Sequence, residues 1–314
     1  MRILFMGTPT FSVPILKALH DDYTVCAVVT QPDKPVGRKQ ILTPSPVKEA
    51  ALALNLPVLQ PRRIKDELET ITALKPDVII TAAYGQILPK ALLDYPKKGA
   101  INVHASLLPE LRGGAPIQRA IERRYKTTGV TIMKMSQKMD AGAIYAQKAM
   151  TIDEDETSDT LFEKLSFIGK DLLLKVLPDI LSNKLHAVPQ NEELVTYAYN
   201  IKPEEELLDF NMPGEMLEAK IRAFYPTPNT YTYLESDKLK VIKADFHQTT
   251  TKSTIKNGTV VDITNQGIVV KTPTGYLTLK HVQLAGKKAM PVNDFMNGIG
   301  KTRVKVGIIF KKTA

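Results

Sequence analysis

A chain of 314 residues exceeds one average domain and suits two, and 43% hydrophobic with 24% charged residues excludes a disordered or fibrous polymer. No apolar run approaches the roughly 18 residues of a membrane-spanning helix, and a single cysteine, Cys26, excludes an internal disulfide and a cysteine-based zinc site. The net charge of +9 is uneven: residues 1–206 carry 26 Lys+Arg against 25 Asp+Glu, residues 207–314 carry 16 against 8, so a polyanionic partner is expected at the basic end.

Charge alone does not separate tRNA from DNA, other RNA or an anionic lipid. The first residues hold too short an apolar stretch for a secretory signal, so the expected setting is a reducing cytoplasm, with no membrane and no protein partner required. In chain order, β-branched runs at 3–6, 25–30, 78–81, 100–103 and 129–135 predict strands. Amphipathic stretches at 13–19, 46–54, 64–74, 87–93 and 115–122 predict the helices between them. This alternation predicts an α/β fold: a Rossmann-like, mainly parallel sheet covered on both faces, with its chemistry outside the carboxyl ends of the strands. Gly7-Thr8-Pro9-Thr10 sits where a dinucleotide fingerprint would, but the second and third glycines are missing, which disfavours a nicotinamide-dependent oxidoreductase. A long helix over Ser158–Leu181, opened by Thr157-Ser158-Asp159, closes this region at about residue 182.

Residues 183–208 are polar and acidic, with Pro189 and Pro203, and read as a linker. The remainder, 209–314, begins with a helix at 214–223. Short alternating runs follow at 238–244, 258–264, 267–272, 276–282 and 305–310, with hairpin signals at Asn257-Gly258 and Asn265-Gln266-Gly267. Five short basic strands predict a small closed barrel of the oligonucleotide-binding (OB) type.

The chemistry concentrates in Ile101-Asn102-Val103-His104-Ala105-Ser106-Leu107-Leu108-Pro109. Asn102 and His104 stand two apart on a strand, so their side chains leave the same face at its carboxyl end. An Asn amide can donate to a developing oxyanion, and a His can carry a proton near working pH. A His at a strand end also serves as a structural residue, and spacing alone leaves both readings open.

Asn102-x-His104 followed at once by Ser106-Leu107-Leu108-Pro109 resembles the signature of the folate-dependent formyltransferases. That resemblance implies a catalytic group of Asn102, His104 and Asp140, the last in Met139-Asp140-Ala141-Gly142. It also implies a folate loop at Tyr84, Gly85, Gln86, Ile87 and Leu88, with Ser106, Leu107, Leu108 and Pro109 completing the pocket. The donor implied is 10-formyltetrahydrofolate, with no metal required, and His20, His186, His247 and His281 show no ligand spacing. The basic loop around Lys34, Arg38 and Lys39, the stretch 109–118 and the basic tail domain resemble the branch of that family that formylates initiator methionyl-tRNA for translation initiation, which implies that Lys34, Arg38 and Lys39 contact the acceptor end of the tRNA. A sister enzyme acting on glycinamide ribonucleotide or a nucleotide-sugar amine, and a non-catalytic RNA-binding protein, are the rival readings. The family often has Gly where this chain has Ala105, and an aromatic residue near Leu111, so the rim of the pocket departs from its pattern.

Overall fold

The computed structural model describes residues 1–37, 39–251 and 253–310. The chain forms two compact units. The first takes Met1–Pro116, Thr127–Thr151 and Leu161–Tyr199; the second takes Ile117–Lys126, Ile152–Thr160 and the chain from Asn200 onward. The break at 199/200 falls inside the stretch that composition marks as a linker, and residues 183–199 pack with the first unit.

The strands of the first unit are β1 (Arg2–Gly7), β2 (Thr24–Val29), β3 (Lys34–Val36), β4 (Ile41–Thr43), β5 (Val58–Leu59), β6 (Val78–Ala82), β7 (Ala100–His104), β8 (Thr127–Lys134) and β9 (Ile144–Thr151). Seven of them form one sheet in the order β5-β2-β1-β6-β7-β8-β9. Pairing is parallel from β5 to β7 and antiparallel from β7 to β9. Continuous apolar runs explain the centre: Ile3, Leu4, Phe5 and Met6 are all fully buried, as strands covered on both faces must be. The order reverses between β1 and β6, and it is outside the carboxyl ends of the strands at such a switch point that open α/β sheets bind ligands.

Gly7 ends β1 in a tight turn. A Cβ there would lie 2.7 Å from the Cβ of Ser12 and 3.0 Å from the carbonyl oxygen of Ala82, and Ser12 Oγ donates to that carbonyl at 2.5 Å. The glycine serves close packing rather than phosphate approach. The helix expected at 87–93 is shorter, Lys90–Asp94, because Pro89 holds an extended conformation (φ −67°, ψ 152°) and keeps 87–89 out of it.

The second unit corrects the expected barrel. Its strands are β10 (Thr230–Leu234), β11 (Asp237–Gln248), β12 (Val260–Thr264), β13 (Gly267–Thr272), β14 (Gly275–Leu284) and β15 (Met290–Pro291). They form an antiparallel sheet in the order β10-β11-β14-β13-β12, with β15 on β14, and among the described residues no ladder joins β12 back to β10. The run expected as a fifth strand makes one bridge, Ile309 to Thr259. Short helices Val292–Asn297 and Gly300–Arg303 separate it from the sheet's last strand. Leu217 and Ile221 of helix Gly214–Phe224, with Phe295, fill the inner face together with Leu239, Val241, Leu277 and Leu279. The apolar face is closed by helices rather than by strand pairing.

Candidate active site

His104 ends β7 and is 6% exposed. Its Nε2 lies 3.1 Å from the carbonyl oxygen of Leu111, an atom that only accepts, so Nε2 carries the proton and the neutral ring keeps its lone pair on Nδ1. Nδ1 faces Oδ2 of Asp140 at 3.8 Å. That gap is too long for a hydrogen bond and short enough for strong attraction once the ring is protonated. The same Oδ2 accepts from the backbone N–H of Gly113 at 2.8 Å. One carboxylate oxygen thus meets the imidazole and a fixed peptide donor.

The carboxylate arrives by an indirect route. β8 runs antiparallel to β7, with Lys134 opposite Ile101 and Thr131 opposite His104, so the chain leaves β8 near the start of β7. The connection to β9 then folds back along the sheet face. Asp140 sits there in the left-handed region (φ 47°), which Asp tolerates better than most residues. Gln190 fixes the turn by donating through Nε2 to the carbonyls of Asp140 and Gly142, each at 2.8 Å. Gln190 Oε1 in turn accepts from fully buried Arg112, at 3.0 Å from Nε and 2.8 Å from Nη2.

Asn102 is half-buried on the same face of β7 as His104. Its Oδ1 accepts from the hydroxyl of Thr81, directly opposite on β6, at 2.7 Å. With the amide oxygen held, the orientation of Nδ2 is set, and its hydrogens are the groups left to offer a substrate oxygen.

The expected folate loop is anchored from beneath. Tyr84 is buried in the cluster around Leu4, Met6, Val29 and Ile79, and burial pushes its phenol up to about 12. Its carbonyl accepts from Thr8 Oγ1 at 3.0 Å and Gln31 Nε2 at 3.1 Å. Gln86 turns away to hold the neighbouring chain, its Oε1 accepting from the N–H of Ile64 at 2.8 Å. Leu88 is core. Gly85 (φ 90°) and Ile87, 75% exposed, are what the loop presents outward. On the far side of β7, Ser106 is buried and its hydroxyl closes a turn on the carbonyl of Glu110 at 2.7 Å. Leu107 lies against Gly129, Leu108 is buried, and the Leu108-Pro109 peptide is cis.

Several site residues carried no sequence signal. Thr131 on β8 donates to the carbonyl of Ser106 at 2.6 Å and accepts from the N–H of Leu108 at 3.1 Å, and Gln147 on β9 donates to it at 2.9 Å. Leu111 and Gly113 act through main-chain atoms. Thr196 holds Leu111, accepting its N–H on Oγ1 at 2.9 Å. Of the expected RNA-contacting residues, Lys34 and Lys39 are exposed at a two-stranded hairpin, β3 with β4, and Arg38 lies outside the described residues.

Arg112 also pairs with Glu192, Nη2 to Oε1 at 2.8 Å, and Lys138 reaches the other oxygen at 3.0 Å. Hydrogen bonds from Arg112 and then Lys138 hold the Glu192 carboxyl at about 2. A carboxyl depressed in the folded state stabilises above its usual value and ceases to as pH falls through the folded value. The stability gap between wild type and Glu192→Gln is therefore expected to be constant above about pH 5 and to close as pH falls toward 2. Urea unfolding at pH 6, 4 and 2 checks it; a gap that persists unchanged at pH 2 contradicts the pairing.

The formyl transferase model matches residues 1–177 and the formyl transferase C-terminal domain model matches residues 200–300. The chain is 51% identical over 303 residues to the methionyl-tRNA formyltransferase of Bacillus licheniformis, covering 95% of each. It is 50% identical over 301 residues to that of Bacillus subtilis, covering 95% of this chain and 94% of the relative. HypX from Aquifex aeolicus, solved in complex with tetrahydrofolic acid, shares the fold at a TM-score of 0.67 and 15% identity, over 99% of this chain and half of its own length. With both domain models matched and half its residues shared over nearly its full length, the chain belongs to the formyl transferase family, among the relatives called methionyl-tRNA formyltransferase.

Proposed function

We propose that this chain transfers the formyl group of 10-formyltetrahydrofolate to the amino group of methionine esterified to initiator tRNA, giving the formylated tRNA used to start translation in the cytoplasm. The observation that carries this reading is the grouping of a held amide, an oriented imidazole and a carboxylate, in a chain half identical to proteins of that name.

Each residue then has a role. Asn102 Nδ2 donates to the formyl oxygen as the amine nitrogen bonds to the formyl carbon and negative charge gathers on that oxygen. His104 Nδ1 takes the proton that the nitrogen must lose. Asp140 stabilises the imidazolium so formed, while Leu111 and Gly113 keep ring and carboxylate aligned. The bond from the formyl carbon to the folate nitrogen breaks, and His104 returns its proton to that nitrogen, so proton and electron pair balance. Gly85, Ile87 and Leu107 supply the apolar and main-chain lining for the pterin, with Tyr84, Gln86, Leu88, Ser106, Leu108 and Pro109 shaping it. Lys34, Arg38 and Lys39 contact the tRNA acceptor end, and the basic residues beyond 207 hold its backbone, which positions without reading sequence. Transfer of labelled formyl groups to charged initiator tRNA tests the reading. Transfer to glycinamide ribonucleotide or a nucleotide-sugar amine in place of the tRNA would overturn it.

A further inference from the structure

The antiparallel sheet of the second unit turns one face to its helices, and alternation sends every other side chain to the opposite face. In β10, Thr230, Thr232 and Leu234 are buried, and Tyr231 and Tyr233 between them are half-buried. In β11, Leu239 and Val241 are fully buried, whereas Lys240 is half-buried and Lys238 exposed. The register sets Tyr231 opposite Lys240, Tyr233 opposite Lys238, and Lys240 opposite Gln283 of β14. Past a register shift, Lys243 pairs with His281 across β11 and β14, and both are exposed. The outer face is therefore a basic strip with two tyrosines along one side.

The charges of this strip are held in place without being neutralised. The Lys238 ammonium lies 4.1 Å from the centroid of the Tyr231 ring, and the Tyr233 ring meets Tyr231 edge to face at 5.6 Å. A cation over a ring is steadied and keeps its charge. Nearby carboxylates are engaged elsewhere. Where β10 turns into β11, Arg303 meets Glu235 at 2.7 Å and Asp237 at 2.9 Å, and further along β11 Lys280 meets Asp245 at 3.1 Å. Among the described residues, neither Lys238 nor Lys240 pairs with a carboxylate.

We infer that this face, through Lys238, Lys240 and Lys243, is where the basic unit meets the sugar-phosphate backbone of the RNA substrate. This rests on the tRNA reading above and names the surface that carries it. Three observations favour RNA as the occupant. First, residues 207–314 hold 16 Lys+Arg against 8 Asp+Glu, an excess that complements a polyanion. Second, Lys238 and Lys240 stand two apart on one strand, about 6.8 Å along it. That is close to the step between successive phosphates of a nucleic-acid strand, so each ammonium can meet its own phosphate. Third, binding to an anionic lipid surface relies on apolar or aromatic anchors sunk beyond the charges. Here the tyrosines are half-buried and it is Lys238 and Lys243 that project. The phenol hydroxyls of Tyr231 and Tyr233 remain to donate to phosphate oxygens beside them.

The test is the double variant Lys238→Ala/Lys240→Ala in the full-length protein, with binding of charged initiator tRNA followed from about 50 to 200 mM salt. Its Kd is expected to rise about 5- to 30-fold, and the slope of log Kd against log salt to become shallower by about two. Charged elongator tRNA should lose the same factor, because phosphate contacts carry no sequence information. The KM for tRNA should rise while kcat at saturating tRNA and the affinity for 10-formyltetrahydrofolate stay as in wild type. Lys238→Arg/Lys240→Arg keeps both charges and should bind as wild type, which separates a lost contact from a damaged sheet. Lys17→Ala/Lys65→Ala removes the same charge from exposed positions of the first unit and should change neither affinity nor slope. An unchanged slope in the Lys238/Lys240 alanine variant, or an equal loss in the Lys17/Lys65 variant, would overturn the assignment. So would tRNA affinity that stays intact while binding to phosphatidylglycerol vesicles is lost. Wild-type protein that binds charged tRNA yet forms no formylated product would instead defeat the functional reading and leave the face as an RNA contact.

Discussion

Replacing His104 with alanine is expected to lower kcat by about 10²- to 10⁴-fold, with the Kd of folate and of charged tRNA kept within a few-fold. The ring is bonded to the Leu111 carbonyl and faces Asp140, whose side chain stays 19% exposed and whose Oδ2 keeps the Gly113 N–H when the ring is removed. The effect should therefore fall on turnover and not on binding. Asp140→Asn sharpens the test. An asparagine keeps the shape and can still accept the Gly113 N–H, but it cannot stabilise an imidazolium. If His104 carries the proton and Asp140 acts through it, the double variant should be scarcely slower than His104→Ala alone. Full multiplication of the two losses, measured in single turnover, would show that the groups act independently.

How much of this was legible in the sequence depended on which atoms do the work. Asn102 and His104 stand out because a strand's alternation places them on one face. Asp140 does not, since its loop leaves β8 beside the start of β7 yet brings the carboxylate to His104 at the other end, and only the resemblance to a family pointed there. Leu111 and Gly113 contribute a carbonyl and an N–H, and every residue has those. Gln190 lay in a polar stretch that composition marks as a linker, yet it ties Asp140 to a buried arginine. The fold shows the same division. The central parallel strands β1, β2, β6 and β7 were readable because burial on both faces demands continuous apolar runs. β5 was not, being only two half-buried residues, nor was β9, whose residues are half-buried or exposed with no clear alternation, and the β3–β4 hairpin was hidden by Pro35 and Gly37. The barrel failed for a different reason: alternation identifies strands, but whether the last strand pairs with the first depends on what else covers the apolar face.

Gly113→Ala is expected to lower kcat by about 10²-fold and to destabilise the fold by about 1–3 kcal/mol. The glycine sits at φ 129°, where an L side chain is strained, and an added Cβ would lie 2.6 Å from the carbonyl oxygen of Ala198. That oxygen cannot yield cheaply, because it accepts from the N–H of Ala115. The peptide must rotate instead, and its N–H then swings away from Asp140 Oδ2. Loss of stability and loss of activity have separate origins here: the first comes from the strained backbone, the second from a carboxylate no longer aimed at the imidazole. They are separable by experiment. Combined with Asp140→Asn, the glycine substitution should cost stability again but almost no further activity, since the carboxylate it positions is already gone. A Gly113→Ala protein that is destabilised yet turns over at the wild-type rate would mean that Asp140 needs no peptide donor to do its part.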